Sequence, residues 1–341
     1  MSLVHVQLET SDSDMLRDAA IRLAGSVNRL EDISALDQTA GLISELPDKI
    51  RDLTSHLRST GGQAAAVLLS GIDIGTLAEL PTPSAFGQYD LERAVRLTDS
   101  TMFMLGATIG IPYCFASQQR GRIVLDVFPL IGRENRQLGC SSTTALEWHN
   151  EDAFHPLRAD YSLLCCIRNE RQVATRYVIA RELVLDPAVE AQLRIPEFAI
   201  VPDESHTYVY NLATSGVAKS GVAAFARVKA MADDLPRAAV LSGAVDDPWI
   251  NVDFAYMPAE IHSEDANAAL AELRVAIERA SRRIELSAGD VLVIDNKRAV
   301  HGRDSFVPQY DGSDRWLRRL NVLQELPPRE SHFIPGTLQI T

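Results

Sequence analysis

The sequence has 341 residues, of which 46% are hydrophobic, and a formal net charge of −13. This length and hydrophobic fraction permit a sizeable core, within the range of one large β-barrel that carries inserted helices. The acidic balance is unfavourable for holding a phosphate backbone, so we expect no nucleic-acid partner. No apolar run approaches the roughly 20 residues that span a bilayer, and residues 1–10 lack the pattern of a signal peptide. We therefore expect a cytoplasmic protein without a membrane partner.

The first hundred residues are predicted to be mainly helical. Apolar residues recur at helical spacing over residues 14–27, 36–46 and 91–105. A short apolar run at residues 64–69 predicts a strand, and the Gly/Pro/Thr-rich stretch at residues 71–83 predicts a loop.

The rest of the chain is predicted to be mainly strand, interrupted by one clear helix. Ser263 suits the N-cap of that helix, and Leu270, Leu273 and Ile277 lie on its apolar stripe. Short apolar runs predict the strands, at residues 123–128, 162–167, 238–241, 283–286, 291–294 and 317–323. The pattern favours one mainly β domain with α-helices, a sandwich or barrel with an N-terminal helical layer and helical insertions.

The four cysteines show no metal-binding or redox spacing. Cys165 and Cys166 are adjacent in an apolar run, and neither Cys114 nor Cys140 forms a CxxC pair. This use of cysteine favours reduced, buried thiols over a disulfide or zinc framework.

Two histidines and one glutamate carry the first chemical signal. In a strand, His149 and Glu151 would point to the same face, and His301 lies far downstream. Two imidazoles and one carboxylate, with neighbouring coordination positions left open, form the ligand set of non-haem iron(II) oxygenases. A lone His-x-Glu is more often an ordinary surface or core pair, so this signal needs support from elsewhere in the chain.

That support lies in the arginines that follow His301. Strand alternation places Arg315, Leu317 and Arg319 on one face. The planar fork of an arginine binds a carboxylate through two hydrogen bonds, so two inward arginines near one site can hold two different carboxylates. The alternative is a charged edge strand.

The combined motif resembles a known enzyme family. Residues 149–155, 301–303 and 310–317 are similar to the clavaminate synthase-like branch of iron(II)/2-oxoglutarate oxygenases, closest in pattern to the bacterial arginine, asparagine and lysine hydroxylases of peptide-antibiotic pathways. The resemblance runs from about Gln118 to Leu323. It implies a double-stranded β-helix, the jelly-roll or cupin-like fold. The chain would then be one oxygenase domain over 1–341, with a mostly helical layer at 1–110 and a jelly-roll core with insertions at 111–330.

The resemblance also implies roles for single residues. The cofactors and cosubstrates would be Fe(II), 2-oxoglutarate and O2, and the partner would be a small amino-acid substrate. His149, Glu151 and His301 would bind iron, Arg315 and Thr175 the far carboxylate of 2-oxoglutarate, and Arg319, Gln118 and Asp253 the substrate's carboxylate, amine and distal end.

One position departs from the family pattern. Relatives that act on arginine or lysine often carry a second acid two residues after the position of Asp253, and this chain has Ala255 there. A single acid favours a neutral urea or amide end, or a lone ammonium, over a guanidinium. The expected reaction is hydroxylation at Cβ or Cγ of a free L-amino acid: lysine, arginine, citrulline or a cyclic amino acid. Desaturation, cyclisation, a carrier-bound substrate and a non-catalytic metal-binding jelly roll are the alternatives. The histidines outside the ligand set, which include His206, are expected at the surface or in packing, except that His155 is expected to line the site entrance.

Overall fold

The computed structural model describes residues 3–58, 64–326 and 332–341. Within these ranges the chain has a mixed α/β architecture. The α-helices are α1 (Thr10–Ser26), α2 (Ile33–Ile43), α3 (Asp48–Arg51), α4 (Leu53–Arg58), α5 (Arg93–Ile109), α6 (Pro187–Leu193), α7 (Tyr208–Thr214), α8 (Gly221–Asp233) and α9 (Glu264–Ala280). The strands are β1 (Val4–Gln7), β2 (Ala66–Ser70), β3 (Ile111–Phe115), β4 (Val124–Val127), β5 (Leu146–His149), β6 (Tyr161–Arg168), β7 (Thr175–Ile179), β8 (Phe198–Ala199), β9 (Arg237–Ala238), β10 (Leu241–Gly243), β11 (Pro248–Ile250), β12 (Arg282–Ile284), β13 (Val291–Asp295), β14 (Ala299–Arg303), β15 (Trp316–Leu323) and β16 (Gln339–Ile340).

The predicted N-terminal helices are confirmed and cover one face of a large sheet. That sheet has the strand order β1-β2-β13-β6-β15-β3-β16, with β4 also paired to β15. Helix α5 approaches β15 so closely that a Cβ on Gly106 would lie 2.7 Å from a methyl carbon of Leu320. A larger side chain at this position would therefore separate the helix from the sheet.

A second, four-stranded sheet has the order β12-β7-β14-β5. Apolar residues from both sheets form a shared core, which includes Cys166 and Leu317 from the large sheet and Tyr177 and Ile179 from the small one. Trp148, Val178 and Val300 from the small sheet share another core with the apolar stripe of α9, at Leu270, Leu273 and Ile277. Two separated cores on either side of the small sheet explain why its central strands, β7 and β14, are buried on both faces.

The helix predicted after Ser263 is confirmed, including its cap. The Ser263 hydroxyl accepts a hydrogen bond from the backbone N–H of Ala266 at 3.1 Å, which satisfies one of the free donors at the start of α9. The four cysteines are free and buried, as predicted. Among the described residues, no helix is both long and apolar enough to cross a membrane.

One predicted strand is wrong. Residues 238–241 form the end of β9 and the start of β10 rather than a single strand. The two pieces pair with different partners, β9 with β8 and β10 with β11. Between them Val240 is fully buried in the core beneath α9, so the apolar run reflects burial at a change of direction. The expectation of a single helix among the later strands is also wrong, because α6, α7 and the 13-residue α8 precede α9. Short strands such as β1 and β3 were not predicted.

Candidate active site

All eight predicted site residues line one cleft. It has a volume of about 1100 Å³ including its solvent-open mouth. Its wall is built from both sheets and from the loops that follow β5, β8 and β11. The residues brought together are His149, Glu151, His301, Arg315, Thr175, Arg319, Gln118 and Asp253.

The three predicted metal ligands are adjacent, although not for the reason given by strand alternation. His149 on β5 lies directly opposite His301 on β14, with ring centroids 4.4 Å apart. β5 ends at His149, so Glu151 lies in a turn and the same-face argument for it was wrong. Instead, the Asn150 side chain donates hydrogen bonds to the carbonyls of Asn296 and Ala299 at 2.7 and 2.9 Å and fixes the turn.

Hydrogen bonding and burial prepare His149 to donate a lone pair. Its Nδ1 lies 2.8 Å from the carbonyl oxygen of Glu147, and because a carbonyl only accepts, Nδ1 carries the proton and Nε2 is free. Burial, followed by the nearby His301, lowers the pKa of His149 to about 4, so the ring is neutral at pH 7. Neutral imidazole is the form that binds a metal ion.

Glu151 completes a set that fits iron(II). One ligand atom from each of His149, Glu151 and His301 can be chosen so that all three lie within 4.8 Å of one another. Burial raises the pKa of Glu151, but the opposite effect of Arg319 and His301 is larger. The pKa therefore lies below its usual range, and the carboxylate is ionised. Two imidazoles and a carboxylate facing one cleft match the facial ligand set of non-haem iron(II) enzymes.

Arg315 is a buried cation without a carboxylate partner among the described residues. It immediately precedes β15, where the pairing with β6 is irregular between Trp316 and Leu317. Its Nη2 donates to the hydroxyl of Thr175 at 3.0 Å, and its Nε has no partner. Burial lowers the pKa of Arg315 to about 10, so it remains charged at pH 7. A buried, incompletely paired guanidinium favours an anionic ligand in this part of the cleft.

Arg319 already contacts an anion of the protein. Its Nη1 forms a close ion pair with a carboxylate oxygen of Glu151, and its Nη2 donates to Gln118 Oε1 at 3.4 Å. Its Nε has no partner in the described structure. The arginine predicted to bind the substrate carboxylate is therefore paired here with Glu151, one of the predicted metal ligands.

Asp253 lies beside the metal ligands and is only partly compensated. The chain pairs at this point with His149 through an isolated β-bridge, and the Asp253 carboxylate accepts a hydrogen bond from the backbone N–H of Ala255 at 3.1 Å. Burial, followed by the charge of Asp203, raises the pKa of Asp253 well above its usual range. Unpaired acids favour a cationic or hydrogen-donating group here.

Sequence reasoning missed Asp203. It lines the same cleft from the loop after β8, where its side chain accepts from the backbone N–H of Ser205 at 2.7 Å. A second acid is thus present near Asp253, supplied by a distant segment in place of Ala255. Its signal in the sequence is only that of a helix N-cap, at the start of the short 3-10 helix Glu204–His206.

His206, expected at the surface or in packing, packs against Phe115 and Phe154 in the interior, but it also belongs to a hydrogen-bond network that was not predicted. It is completely buried, and its ring nitrogens lie 2.8 Å from Asp152 Oδ1 and 2.8 Å from Ser117 Oγ. No short-range spacing predicts this network, because its members lie 35 and 54 residues apart in sequence, from 117 to 152 and from 152 to 206.

Comparison with known proteins places this site in a family. The family described as "Taurine catabolism dioxygenase TauD, TfdA family" matches residues 195–321, which include His301, Arg315 and Arg319. Enduracididine beta-hydroxylase of Streptomyces hygroscopicus is 31% identical over 99% of both chains. L-ornithine/L-arginine 3-hydroxylase of Catenulispora acidiphila is 33% identical over 89% of this chain and 90% of that one.

Similarity to solved structures agrees with this assignment. The non-haem iron oxygenase OrfP, crystallised with Fe, succinate and (3S)-hydroxy-L-Arg, superposes with a TM-score of 0.86 at 30% identity, over 99% of both chains. Sequence and structure match over almost the whole length. The chain therefore belongs to the iron(II)- and 2-oxoglutarate-dependent dioxygenases of the TauD/TfdA family, in the clavaminate synthase-like group that contains the amino-acid hydroxylases.

Proposed function

We propose that this enzyme hydroxylates Cβ of a free basic L-amino acid, with 2-oxoglutarate and O2 as cosubstrates. The observation that carries the proposal is the division of charge in the cleft. On one side, Arg315 has no carboxylate partner within the described residues. On the other, Asp253 forms no ion pair there, and Asp203 has only His206, whose Nε2 lies 3.9 Å from its Oδ2. A dicarboxylate cosubstrate and a cationic substrate would satisfy the two sides separately.

In this proposal His149, Glu151 and His301 hold iron(II) at the centre of the cleft. Iron(II) bound there would supply the oxidising power to hydroxylate a C–H bond, with 2-oxoglutarate and O2 as cosubstrates and succinate and carbon dioxide as coproducts. The neutral His149 and the ionised Glu151 need no loss of a proton to become ligands.

Arg315 and Thr175 would bind the far carboxylate of 2-oxoglutarate. The hydrogen bond from Arg315 Nη2 to Thr175 holds the guanidinium in one orientation, and its unpartnered Nε remains available. A fixed planar fork gives a carboxylate both charge and direction. Because Arg315 and the three metal ligands line the same cleft, the keto-acid end would be left free to bind the metal ion.

The substrate would lie on the opposite side. Arg319 would bind its α-carboxylate, Gln118 its amino group, and Asp253 its distal cation. For Arg319 this requires that Glu151 share the guanidinium or release it when metal is bound, because the two are paired in this structure. Since Arg319 contacts a metal ligand, a carboxylate held there places the adjacent carbons nearest to iron, which favours attack at Cβ over Cγ.

The relatives support this choice of carbon and substrate. One is named a beta-hydroxylase and another a 3-hydroxylase of ornithine and arginine. OrfP was crystallised with a 3-hydroxylated and with a 3,4-dihydroxylated arginine, and other relatives are named lysine 4-hydroxylases, so Cγ is the alternative position. We further propose that the two main sheets form a double-stranded β-helix within one domain over 1–341. A cytoplasmic location and a role in natural-product biosynthesis are part of the same proposal.

A substrate screen tests the proposal. The iron-loaded enzyme is given 2-oxoglutarate, ascorbate and one free amino acid at a time: arginine, ornithine, lysine, citrulline or a cyclic guanidine amino acid. We expect a gain of one oxygen on a basic amino acid, in proportion to succinate, with the hydroxyl located at Cβ by NMR. Succinate formation without oxidation of any free amino acid would refute the substrate assignment, and a carrier-bound substrate or a desaturated product would replace it.

A further inference from the structure

A buried hydrogen-bond network connects the metal-ligand turn to the segment that covers the cleft. At its centre is His206, which is 0% exposed. Its Nε2 lies 2.8 Å from Asp152 Oδ1, and its Nδ1 lies 2.8 Å from the hydroxyl of Ser117. Both ring nitrogens therefore have partners, and each partner comes from a different part of the chain.

Two aromatic rings hold the His206 ring in place. Phe115 and Phe154 meet it edge-on, with centroids 5.1 and 4.9 Å away. Edge-to-face contacts of this kind restrict ring rotation. The imidazole is thus fixed in the orientation that its two hydrogen bonds require.

Asp152 connects His206 to the metal site. It directly follows Glu151 and has a left-handed backbone, with φ of 51°, which is uncommon for a residue other than glycine. Its other carboxylate oxygen accepts from the side chain of Asn321 at 2.9 Å. Asn321 lies two residues after Arg319 on β15, so the carboxylate of Asp152 joins the ligand turn to the strand that carries Arg319.

His206 also belongs to the segment that lines the outer cleft. The short 3-10 helix Glu204–His206 follows Asp203, and both Asp203 and Ser205 face the cleft. The Ser205 hydroxyl accepts from Gln118 Nε2 at 2.8 Å, while Gln118 Oε1 faces Arg319. The proposed substrate contacts therefore depend on where this segment is held.

We propose that His206 is a positioning residue, which holds residues 203–207 against the Glu151–Asp152 turn and so completes the amino-acid subsite. The inference rests on the proposed function, since it assumes that Gln118 and Arg319 face the substrate. Arg315 and Thr175 lie outside the network. Loss of His206 should therefore impair binding and alignment of the amino acid while leaving 2-oxoglutarate binding unchanged.

Two substitutions distinguish the effect of the hydrogen bond to Asp152 from the effect of filling the space of the imidazole ring. A glutamine amide nitrogen reaches the place of the imidazole Nε2, so His206→Gln keeps a donor for Asp152. An asparagine amide reaches only the place of Nδ1, so His206→Asn keeps a partner for Ser117 and loses Asp152. His155→Asn is the matched control. His155 is also buried against Phe115 and Phe154, and in the described part of the chain it neither lines the cleft nor hydrogen-bonds the Asp152 side chain.

The first measurement is steady-state kinetics with product and succinate quantified in the same reaction. We expect His206→Asn to raise KM for the amino acid about tenfold or more, the effect of losing one buried bond to a charged group. The ratio of hydroxylated product to succinate should fall, KM for 2-oxoglutarate should stay within twofold, and His206→Gln should recover most of the loss. His155→Asn should retain the wild-type ratio.

Hydrogen exchange gives a readout that does not depend on activity. In His206→Asn, the amides of residues 203–208 should exchange at least tenfold faster than in the wild type, with residues 175–179 of β7 unchanged. Wild-type kinetics and exchange in His206→Asn, or equal losses in His206→Asn, His206→Gln and His155→Asn, would overturn the inference. If the wild-type enzyme hydroxylates no free amino acid, the proposed function fails, and exchange alone decides the role of His206.

Discussion

At the scale of single residues, Arg315 gives the sharpest prediction. Arg315→Ala removes the buried cation that would pair with the far carboxylate of 2-oxoglutarate. Removing one member of a desolvated charge pair costs about 2–5 kcal/mol, so KM for 2-oxoglutarate should rise by roughly thirtyfold or more. Steady-state succinate formation measures this directly.

Thr175→Val and Arg315→Lys provide graded controls for that experiment. Thr175→Val keeps the volume and removes only the hydroxyl that accepts from Arg315 at 3.0 Å, so its effect should be smaller. Arg315→Lys keeps the charge but loses the planar fork, so it should fall between the wild type and Arg315→Ala. An unchanged 2-oxoglutarate dependence in Arg315→Ala would assign that carboxylate to another residue, with Arg319 examined first.

A second prediction concerns the acids of the outer cleft. Asp253→Asn should reduce formation of hydroxylated amino acid at least tenfold while slowing the uncoupled conversion of 2-oxoglutarate to succinate far less. The physical reason is that a buried charged partner of the substrate is lost, whereas the metal ligands and Arg315 are untouched. Product and succinate measured together report both reactions, and wild-type product formation would contradict the assignment of Asp253.

At the scale of elements, β15 separates two functions by strand alternation. Leu317 and Arg319, like Arg315 just before the strand, face the cleft, whereas Trp316 and Arg318 contact Asp126 on the opposite side. The alternation lets one strand present cations to ligands on one face and to structural partners on the other.

Arg318 is the structural partner, and its removal should destabilise the fold. Its guanidinium lies 2.6 Å from Asp99 on α5 and 2.7 Å from Asp126 on β4, and its side chain is 1% exposed. Burial raises the pKa of Asp99 to about 7 even with Arg318 beside it, which shows how costly the acid would be alone. Arg318→Met should lower the free energy of unfolding by about 3–5 kcal/mol.

Denaturant unfolding measures the loss of stability in Arg318→Met. The control replaces the two acids that pair with Arg318 by neutral amides. The triple variant Arg318→Met, Asp99→Asn, Asp126→Asn removes the unpaired charges and should recover part of the loss, because the penalty comes mainly from stranded carboxylates. A change below about 1 kcal/mol in Arg318→Met would mean that these acids are compensated by other groups, with Arg122 the nearest candidate.

At the scale of the whole molecule, buried histidines link stability to pH. Burial, followed by the nearby His206, lowers the pKa of His155 to about 3, compared with 6.5 in the unfolded chain. Because the folded value is the lower one, the unfolded state takes up the proton first, and stability is lost as pH falls below about 6.5. At pH 5, this one group should lower the free energy of unfolding by about 2 kcal/mol.

Urea unfolding of the metal-free protein between pH 7 and pH 5 tests this prediction. The free energy of unfolding should decrease on acidification, and in His155→Asn the decrease should be smaller by about 2 kcal/mol, since the substituted side chain does not titrate. An identical pH dependence in the two proteins would show that the pKa of His155 is the same in the folded and unfolded states.

The sequence alone determined the kinds of groups in the site and much of the secondary structure. Imidazole, carboxylate and guanidinium chemistry is a property of single side chains, so residue type, together with the family resemblance, indicated His149, Glu151, His301 and Arg315 as candidates. The apolar periodicity of α1, α2, α5 and α9 and of strands such as β13 was equally local. Very short strands and the division of residues 238–241 escaped prediction, because their boundaries depend on which partner strand is near.

Only the tertiary structure decided how those groups are combined. Glu151 lies beside the histidines because the Asn150 side chain fixes the turn that carries it. Arg319 forms an ion pair with Glu151 and also lines the cleft in which a ligand would bind. Asp203 joins Asp253 from a segment 50 residues away, and His206 reaches Asp152 across 54 residues. Local spacing determines which residues lie on the same face of one helix or strand. Contacts between distant segments depend on how the sheets and loops pack together.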